Sequence, residues 1–343
     1  MTTRLDETPT EELLDGRYRL GDCVGRGGTA IVYRAEDVTL DRTVAVKIMR
    51  AGTDGPGAGA RTRREMAALA AIDHPCLVTL LDAKILPGGP EYLVMDYVDG
   101  RSLRERLDED TPLTGGEFTD LASDLADALS AVHGAGIVHR DVKPSNVLLA
   151  STGVGTRPVR AKLADFGIAQ LVTGSPANAP AMALGTPAYV APEQARGAAP
   201  APSADIFAFG VVLVESLTGR RPYTNLTPAE AIAARQSVPP ELPDWLDADW
   251  AKLLHRMTAL DPHARPSAAE VADVARRLNP PVPITRGDRT ERDTATPAAA
   301  SAVSGSGEPS PRRVRRWRRL RVFGEIGAGS NAALGVPKKE TPH

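Results

Sequence analysis

The sequence predicts an α+β fold in which a small β-rich lobe precedes a larger helical lobe. From Tyr18 onward, apolar and polar residues alternate with the period of strands through YRLGDCVGRGG, IVYRAEDV and TVAVKIM. After Gly100 the period changes, and apolar residues recur at helical spacing, as at Leu121, Leu125 and Leu129. A strand-rich segment followed by a run of helices is typical of the α+β class.

Length and composition limit the classes of protein to which the chain can belong. Its 343 residues, 42% of them apolar, are enough for one large domain of two lobes or for two domains. The two cysteines, Cys23 and Cys76, lack a metal-binding spacing and exclude a disulfide framework, which fits a reducing cytosol. The acidic start predicts no signal peptide, and no run of about 18 apolar residues predicts a membrane span.

Charge is unevenly distributed along the chain. Residues after 280 hold 12 Lys and Arg against 6 Asp and Glu, a balance of +6, which leaves 29 basic and 37 acidic residues, or −8, elsewhere. Residues 281–311 are rich in Pro, Ala, Ser, Thr and Gly without periodicity, which is typical of a disordered linker. We therefore predict a polar leader, a folded domain of two lobes, and a disordered linker with a basic tail. Their bounds are 1–17 for the leader, 18–279 for the domain, about 18–95 and 100–279 for its lobes, and 280–343 for the linker and tail.

The same patterns predict the order of the elements. In the first lobe we expect three antiparallel strands over 18–49, a flexible loop over 51–60, a helix over 62–72, and strands near 77–85 and 91–97. In the second lobe we expect helices over 118–134, 203–218 and 227–236, and at least two more within 248–279.

Short motifs carry residues suited to nucleotide chemistry, and each has a simpler alternative. VGRGGTAIV (24–32) is a glycine-rich turn whose N–H groups suit phosphate oxygens, although a plain hairpin turn explains it equally well. Lys47 in VAVK either extends its charged end to the surface or reaches phosphates while a carboxylate such as Glu65 holds it. Taken alone, Glu65 is more typical of the solvated face of a helix. Asp165 in LADFG suits Mg²⁺ or simply a turn.

The segment VHRDVKPSNVLL (138–149) is the most unusual of these motifs. It sets His, Arg, Asp, Lys and Asn between apolar anchors, which is costly near a core unless chemistry needs the charge. Together with the glycine-rich turn, VAVK, DFG and APE (191–193), it occurs in an order and spacing that resembles one family over about residues 18–279. The chain resembles the eukaryotic-like (Hanks-type) serine/threonine protein kinases of bacteria, and the resemblance implies the bilobal protein kinase fold.

The resemblance implies a role for each charge of the 138–149 segment. Asp141 would orient the substrate hydroxyl and accept its proton, and Lys143 would steady the transferred phosphoryl group. Asn146 and Asp165 would hold Mg²⁺, with Mn²⁺ as an alternative, beside the phosphates of ATP. Arg140 would grip a phosphorylated activation loop, while His139 would only pack and hydrogen-bond.

The resemblance also implies a nucleotide-binding set. Lys47 would contact the α- and β-phosphates while paired with Glu65, and Val32 with Ala45 would form a roof over adenine. Met95 would be the gatekeeper, it could be a residue of core packing, and both can be true. The full set is Val24, Gly25, Arg26, Gly27, Gly28, Thr29, Ala30, Ile31, Val32, Ala45, Lys47, Glu65, Met95, Asp96 and Val98, of which Asp96 and Val98 act through backbone groups.

Specificity and scaffold residues can be inferred in the same way. Lys143 and GTPAYVAPE (185–193) resemble the serine/threonine form, in which Thr186 would touch Asp141 and Lys143. Glu193 would pair with Arg265, and the carboxylate of Asp205 would hold the backbone of the catalytic loop. These last residues are expected to act as scaffold rather than in catalysis.

Three departures from the family pattern stand out. Ala30 replaces the last glycine of the turn, and only Thr173 and Ser175 offer hydroxyls between Gly167 and Gly185 for an activating phosphate. The basic run PRRVRRWRRLRVF (311–323) contains seven arginines but leads into no apolar segment long enough to span a membrane.

We expect an active protein kinase that phosphorylates Ser and Thr of protein substrates, including itself. A pseudokinase scaffold and a small-molecule kinase of similar fold, such as one acting on aminoglycosides, are the alternatives. Self-association is a further expectation for the family. The tail, Arg312–Arg321, is expected to be a solvated charge run, an anchor at an anionic membrane, or a contact for nucleic acid or an acidic partner. The expected location is cytoplasmic, with peripheral contact at the inner membrane as the alternative.

Overall fold

The computed structural model describes residues 13–28, 30–49, 66–84, 91–109, 113–151, 159–166, 187–223 and 228–281. Within them, strands dominate up to residue 102 and helices dominate from residue 103, which confirms the predicted α+β class. The strands are β1 (Tyr18–Arg26), β2 (Ala30–Asp37), β3 (Arg42–Met49), β4 (Leu80–Lys84), β5 (Tyr92–Asp96), β6 (Gly100–Ser102), β7 (Val147–Ser151) and β8 (Val159–Leu163). Residues 66–70 are also helical, inside the helix predicted over 62–72, and the α-helices that lie wholly within the described ranges are α1 (Leu103–Asp108), α2 (Gly115–Gly134), α3 (Pro192–Ala195), α4 (Pro202–Thr218), α5 (Pro228–Ser237), α6 (Ala248–Met257) and α7 (Ala268–Ala275).

The first lobe is a five-stranded antiparallel sheet in the order β1-β2-β3-β5-β4. Alternation along β3 separates its faces, because successive side chains of a strand point to opposite sides. Val44, Val46 and Ile48 belong to an outer apolar cluster that also contains Tyr18, whereas Ala45 packs on the main core. The face that carries Ala45 is therefore the face turned toward the second lobe.

Residues 13–17, which the sequence assigns to the polar leader, lie against this sheet. Leu14 forms a β-bridge with Tyr18, and the Arg17 guanidinium donates to both oxygens of the buried Asp37 carboxylate at 2.9 and 2.8 Å. This pairing lowers the pKa of Asp37 to about 2. The chain is thus fixed to the outer cluster before β1 begins.

The second lobe is built around α4, which is apolar on nearly all sides. Its residues from Ala204 to Ser216 are all buried. Gly210 allows α6 to approach closely, because a Cβ at this position would lie 2.8 Å from Thr258 Cγ2 and 3.1 Å from Met257 Cβ. A helix that is buried on all sides is the centre of a helical core rather than part of its surface.

Two helices of this lobe differ from the sequence prediction. α2 begins at Gly115 rather than Phe118, because Thr114 and Glu117 form a capping box that outweighs two consecutive glycines. α1 is absent from the prediction, although Ser102 and Glu105 form a capping box there as well. The helices over 203–218 and 227–236 are confirmed within one residue at each end.

Part of the helical lobe is a small sheet that the helical pattern does not predict. Strands β6, β7 and β8 pair antiparallel in that order, and Gly100 lies so close to β7 that a Cβ would be 2.3 Å from the Leu149 carbonyl oxygen. The candidate catalytic residues lie in the segment that precedes β7 and in the segment that follows β8, so this sheet positions both. Among the described residues, no helix is long and apolar enough to cross a membrane.

Candidate active site

The loop between α2 and β7 brings the predicted catalytic side chains into contact. The Asp141 carboxylate accepts hydrogen bonds from Lys143 Nζ at 2.8 Å and from Asn146 Nδ2 at 3.0 Å. Asn146 Nδ2 also donates to the Asp141 carbonyl oxygen at 2.8 Å, which closes the loop on itself. Asn146 is buried, whereas about a third of the Asp141 side chain is exposed. The arrangement leaves a carboxylate that is accessible and fixed in orientation.

His139 packs beneath the catalytic loop, in the interior of the protein, and does not face solvent. Its ring is fully buried, lies 5.0 Å from the Phe166 ring centroid, and its Nε2 is 3.1 Å from the Ala164 carbonyl oxygen. The Asp141 amide donates to the other ring nitrogen, Nδ1, at 3.3 Å. Burial lowers the pKa of His139, so the neutral ring donates through Nε2 and accepts through Nδ1. The structure thus gives His139 the packing role expected from the sequence.

Asp205, on α4, binds the backbone of the same loop. Its carboxylate accepts the amide of His139 and the amide of Arg140, each at 2.8 Å, through different oxygens. Arg140 has a φ of 70°, a left-handed conformation that a residue with a side chain keeps only when its surroundings impose it. His133, at the end of α2, adds a 2.9 Å contact from Nε2 to the Asp205 carboxylate. The predicted hold of Asp205 on the catalytic loop is confirmed.

An ion pair between Lys47 of the first lobe and Asp165 of the second lobe connects the two lobes at the site. Lys47 Nζ lies 2.8 Å from Asp165 Oδ1, and only 10% of the Lys47 side chain is exposed. Asp165 follows β8 with a φ of 58°. The Ala164 amide donates to the Asn146 carbonyl oxygen at 2.8 Å, so Asp165 is tied to the catalytic loop by the backbone. Glu65, the partner expected for Lys47, lies outside the described residues.

The oxygen atoms at this point suit a hard divalent cation. Asp165 supplies a carboxylate, and Asn146 uses its Nδ2 to bind Asp141, while its Oδ1 accepts only a long bond of 3.5 Å from the Ser145 hydroxyl and keeps a lone pair for a metal ion. Mg²⁺ binds through one or two protein oxygens and completes its shell with water and phosphate oxygens. The donor chemistry of these two residues therefore fits the metal that the sequence predicts.

The glycine-rich turn lies between β1 and β2. Val24, Gly25 and Arg26 end β1, and the Gly27 amide donates to the Ala30 carbonyl oxygen at 2.9 Å to close the turn. A Cβ at Gly28 would meet nothing within 4 Å, and neither Gly27 nor Gly28 has a left-handed φ. The turn itself does not require glycine at these positions. Ala30, Ile31 and Val32 begin β2, and Thr29 lies outside the described residues.

The predicted adenine-binding residues share one region of the sheet and its exit. Ala45 of β3 is paired in register with Met95 of β5, so the two side chains lie next to each other on the same face. Met95 is 8% exposed, Asp96 ends β5, and Val98 packs on the core in the hinge, residues 97–99, between β5 and β6. The residues expected to form the roof and the back of an adenine site are adjacent.

The expected scaffold pair is present. Arg265 donates to both oxygens of Glu193 at 2.6 and 2.8 Å, and its side chain is completely buried. It also donates to the carbonyl oxygens of Ala259 and Ser203 and lies 5.0 Å from the Phe207 ring centroid. The pairing predicted for Glu193 and Arg265 is thus confirmed, and it joins α3 to the segment before α7.

A second buried cluster was missed by the sequence analysis. Glu215 of α4 accepts from the Tyr189 hydroxyl at 2.5 Å and from the Arg104 guanidinium at 2.6 Å. Burial, followed by the Glu215 charge, raises the pKa of Tyr189. A charged residue inside an otherwise apolar helix, as in FAFGVVLVESL, was the available signal. It indicates a buried partner without identifying it.

Three further expectations about the site and the tail concern residues outside the described ranges. They are the role of Thr186, the activation-loop hydroxyls Thr173 and Ser175, and the basic tail Arg312–Arg321. They remain predictions.

The fold and the site define a class of protein that comparison with known sequences also identifies. A family model described as "Protein kinase domain" matches residues 18–275, three quarters of the chain, and the chain therefore belongs to the protein kinase family. The bilobal protein kinase fold predicted from the motifs is thereby confirmed. Members of this family use ATP and a divalent metal and act on proteins.

Within the family, the chain is similar to bacterial serine/threonine kinases. It is 36% identical over 335 residues to serine/threonine-protein kinase PknB of Mycobacterium tuberculosis (strain ATCC 25618 / H37Rv), covering 93% of this chain and 52% of the relative. PknB of Mycolicibacterium smegmatis (strain ATCC 700084 / mc(2)155) is 34% identical over 320 residues, covering 88% and 50%. PknK of M. tuberculosis (strain ATCC 25618 / H37Rv) is 34% identical over 325 residues, covering 90% and 29%. The chain spans about half the length, or less, of these relatives.

Removing Glu193 should destabilise the second lobe strongly. Glu193→Ala leaves the buried Arg265 guanidinium without its carboxylate, and we expect the free energy of unfolding to fall by about 3 kcal/mol. The control is Arg276→Ala, which breaks the ion pair between Arg276, 48% exposed, and Asp127 and should cost less than about 1 kcal/mol. Urea unfolding followed by circular dichroism measures both, and equal losses would contradict the structural role of the buried pair.

Proposed function

We propose that the chain is a serine/threonine protein kinase that transfers the γ-phosphoryl group of ATP to Ser and Thr hydroxyls of proteins, including its own. The observation that carries the proposal is the link between two ion pairs. Lys47–Asp165 and Lys143–Asp141 are joined through Asn146 and the backbone of Ala164. Phosphoryl transfer depends on positioned charge rather than on covalent chemistry by the protein, and this cluster supplies positioned charge.

Asp141 acts on the substrate hydroxyl. Its carboxylate, fixed by Lys143 and Asn146, orients the hydroxyl oxygen toward the γ-phosphorus and accepts the hydroxyl proton as the new P–O bond forms. The bond between the γ-phosphorus and the bridging oxygen breaks at the same time, and the negative charge leaves with ADP. Lys143 Nζ, 2.8 Å from Asp141, would stabilise negative charge on the transferred group.

Lys47 and Asp165 act on the nucleotide. The Lys47 side chain is almost buried, so it has little rotamer freedom left to lose when it binds phosphate oxygens. Asn146 and Asp165 would hold Mg²⁺, or Mn²⁺, which when bound neutralises charge on the phosphates. In this proposal Lys47 moves from Asp165 to the phosphates and to Glu65 when nucleotide binds.

The glycine-rich turn and the hinge hold the rest of the nucleotide. Because the hairpin itself does not require glycine at positions 27 and 28, we attribute these glycines to close approach of phosphate groups to backbone N–H. Val32 and Ala45 cover the adenine, Met95 closes the back of its site, and backbone groups of Asp96 and Val98 bind its edge. Val24, Gly25, Arg26, Thr29, Ala30 and Ile31 complete the turn.

A pseudokinase that binds nucleotide without transfer is the less favoured alternative. Replaced catalytic positions are its usual signature, and Lys47, Asp141, Asn146 and Asp165 are all present.

For activation, we propose autophosphorylation at Thr173 or Ser175, with Arg140 as the phosphate-binding residue. Phosphopeptide mapping of active protein that finds neither residue modified would refute this site.

Phosphate transfer from ATP tests the proposed function directly. We expect the full chain with ATP and Mg²⁺ to label itself and a generic basic protein. Asp141→Asn and Lys47→Met should lower the rate on the order of 10²-fold or more, because each removes a positioned charge.

The matched controls are Asp249→Asn and Lys252→Met, two exposed residues of α6 far along the chain from the site motifs, which should keep wild-type activity. No transfer by wild type while ATP binds would contradict the proposal and favour the pseudokinase.

For the basic tail, we propose contact with an anionic membrane surface, which would make a cytoplasmic protein peripheral to the inner membrane. The seven arginines of 311–323 alternate with Val314, Trp317, Leu320 and Phe323 at a spacing that a helix would place on one side.

Co-sedimentation with vesicles containing anionic lipid should therefore capture the full chain and leave a variant with its seven tail arginines changed to Gln in solution. Equal, negligible binding of the two proteins would contradict membrane contact.

A further inference from the structure

Strand register places Arg34 on the side of the sheet that faces the nucleotide site. Arg34 of β2 is paired with Ala45 of β3, and Ala45 is paired with Met95 of β5. Directly paired residues of neighbouring strands point to the same face of a sheet. Val32, two residues before Arg34, is opposite Lys47 and shares this face. Arg34 is thus a charged residue in the row that contains the proposed adenine roof.

The guanidinium of Arg34 does not turn away from this face but lies over the hinge. Its Cζ is 5.4 Å from the centroid of the Tyr97 ring, within the range of a cation–π contact. Tyr97 lies between Asp96 and Val98, the two residues whose backbone groups are proposed to bind adenine. The contact therefore joins β2, which carries the glycine-rich turn, to the segment that would hold the edge of the base.

Arg34 ends the row on β2, Met95 ends it on β5, and Tyr97 follows Met95 by two residues in the hinge. Met95 is buried, whereas Arg34 is exposed and Tyr97 is half-buried. Neighbouring strands are about 4.8 Å apart, so Arg34 lies roughly one strand beyond Ala45. The contact between this exposed cation and the Tyr97 ring therefore spans from β2 to the hinge on the face that carries Ala45 and Met95.

We propose that Arg34 and Tyr97 form the outer wall of the adenine slot and act as a positioning pair for ATP. The stack fixes the separation between the β1–β2 hairpin and the hinge, so the slot is preorganised to the thickness of a purine ring before nucleotide enters. Preorganisation lowers the entropy cost of binding and affects affinity more than the chemical step. This inference rests on the proposed function, since it assumes that the slot binds adenine.

Steady-state kinetics of single and double variants test the pair. Arg34→Met keeps the apolar stem and removes the charge, and we expect KM for ATP to rise about two- to fivefold while kcat stays within about twofold. Tyr97→Ala should give a similar rise. The double variant should be no worse than either single variant, because both remove the same contact. Arg34→Lys and Tyr97→Phe, which keep a cation and a ring, should retain most of the affinity.

The control is Arg19→Ala, which removes another exposed arginine of the same sheet, paired with Glu36 and not with the hinge, and should leave KM unchanged. A KM unchanged in Arg34→Met with a wild-type melting temperature would overturn the proposal. Additive effects in the double variant would also overturn it.

Binding of a fluorescent ATP analogue to the same full-length variants separates this inference from the proposed function. If wild type binds the analogue but transfers no phosphate, the proposed function fails while the pair is still tested by affinity. A two- to fivefold weaker affinity in Arg34→Met and in Tyr97→Ala, without further loss in the double variant, would support the pair. Unchanged affinity would refute it.

Discussion

The buried carboxylate of Asp205 is the constraint on which the site depends. It accepts the amides of two consecutive residues, His139 and Arg140, and so fixes the backbone immediately before Asp141. These are hydrogen bonds of backbone groups to a charged acceptor, which are stronger than those between neutral groups. Since Asp205 lies in the buried part of α4, Ala204 to Ser216, the catalytic loop takes its position from the centre of the helical core. The core and the chemistry are thereby coupled.

Contacts of this kind also explain how the site maintains two strained backbone conformations. Arg140 and Asp165 both adopt left-handed backbone conformations, at φ of 70° and 58°, without being glycine. Each lies next to a candidate catalytic or metal-binding group, and each is held by neighbours. Asp205 binds the Arg140 amide, and Lys47 binds the Asp165 side chain. Strain of this kind persists where surrounding contacts impose it, and it occurs preferentially at functional sites. Two of the five left-handed non-glycine residues in the described ranges therefore occur where binding of substrate and metal is proposed, and the other three are Asp15, Asp41 and Tyr223.

The sequence predicted the parts of the fold that depend on local pattern. The alternation in 18–49 was sufficient for β1 to β3, and the apolar periodicity of 203–218 was sufficient for α4. It failed where capping outweighs composition, as at Thr114, where two glycines resemble a helix break. The short sheet formed by β6, β7 and β8 was not predicted as a unit, because β6 pairs with β7 across about fifty positions, which no local pattern reveals, although β7 and β8 are close in the sequence.

In the site, too, the sequence predicted the residues but not all of their contacts. Motif spacing identified Asp141, Lys143, Asn146, Lys47 and Asp165 as candidates, and the structure brings them into two linked ion pairs. The contact of His133 with Asp205 had no sequence signal, because a histidine near a helix end is ordinary. The Arg34–Tyr97 contact depends on the register of three strands, and only the paired structure shows it. Sequence therefore identifies the residue types that chemistry needs, whereas tertiary pairing determines which of them meet.

Amide hydrogen exchange at His139 and Arg140 tests the central claim most directly. In the wild-type chain both amides should exchange slowly, because their protons are bound to Asp205. In Asp205→Ala their protection should fall at least about tenfold relative to Val211, a buried residue of α4 whose helical bond is unaffected. Unchanged protection at His139 and Arg140 in this variant would show that α4 does not hold the catalytic loop, and it would contradict the account.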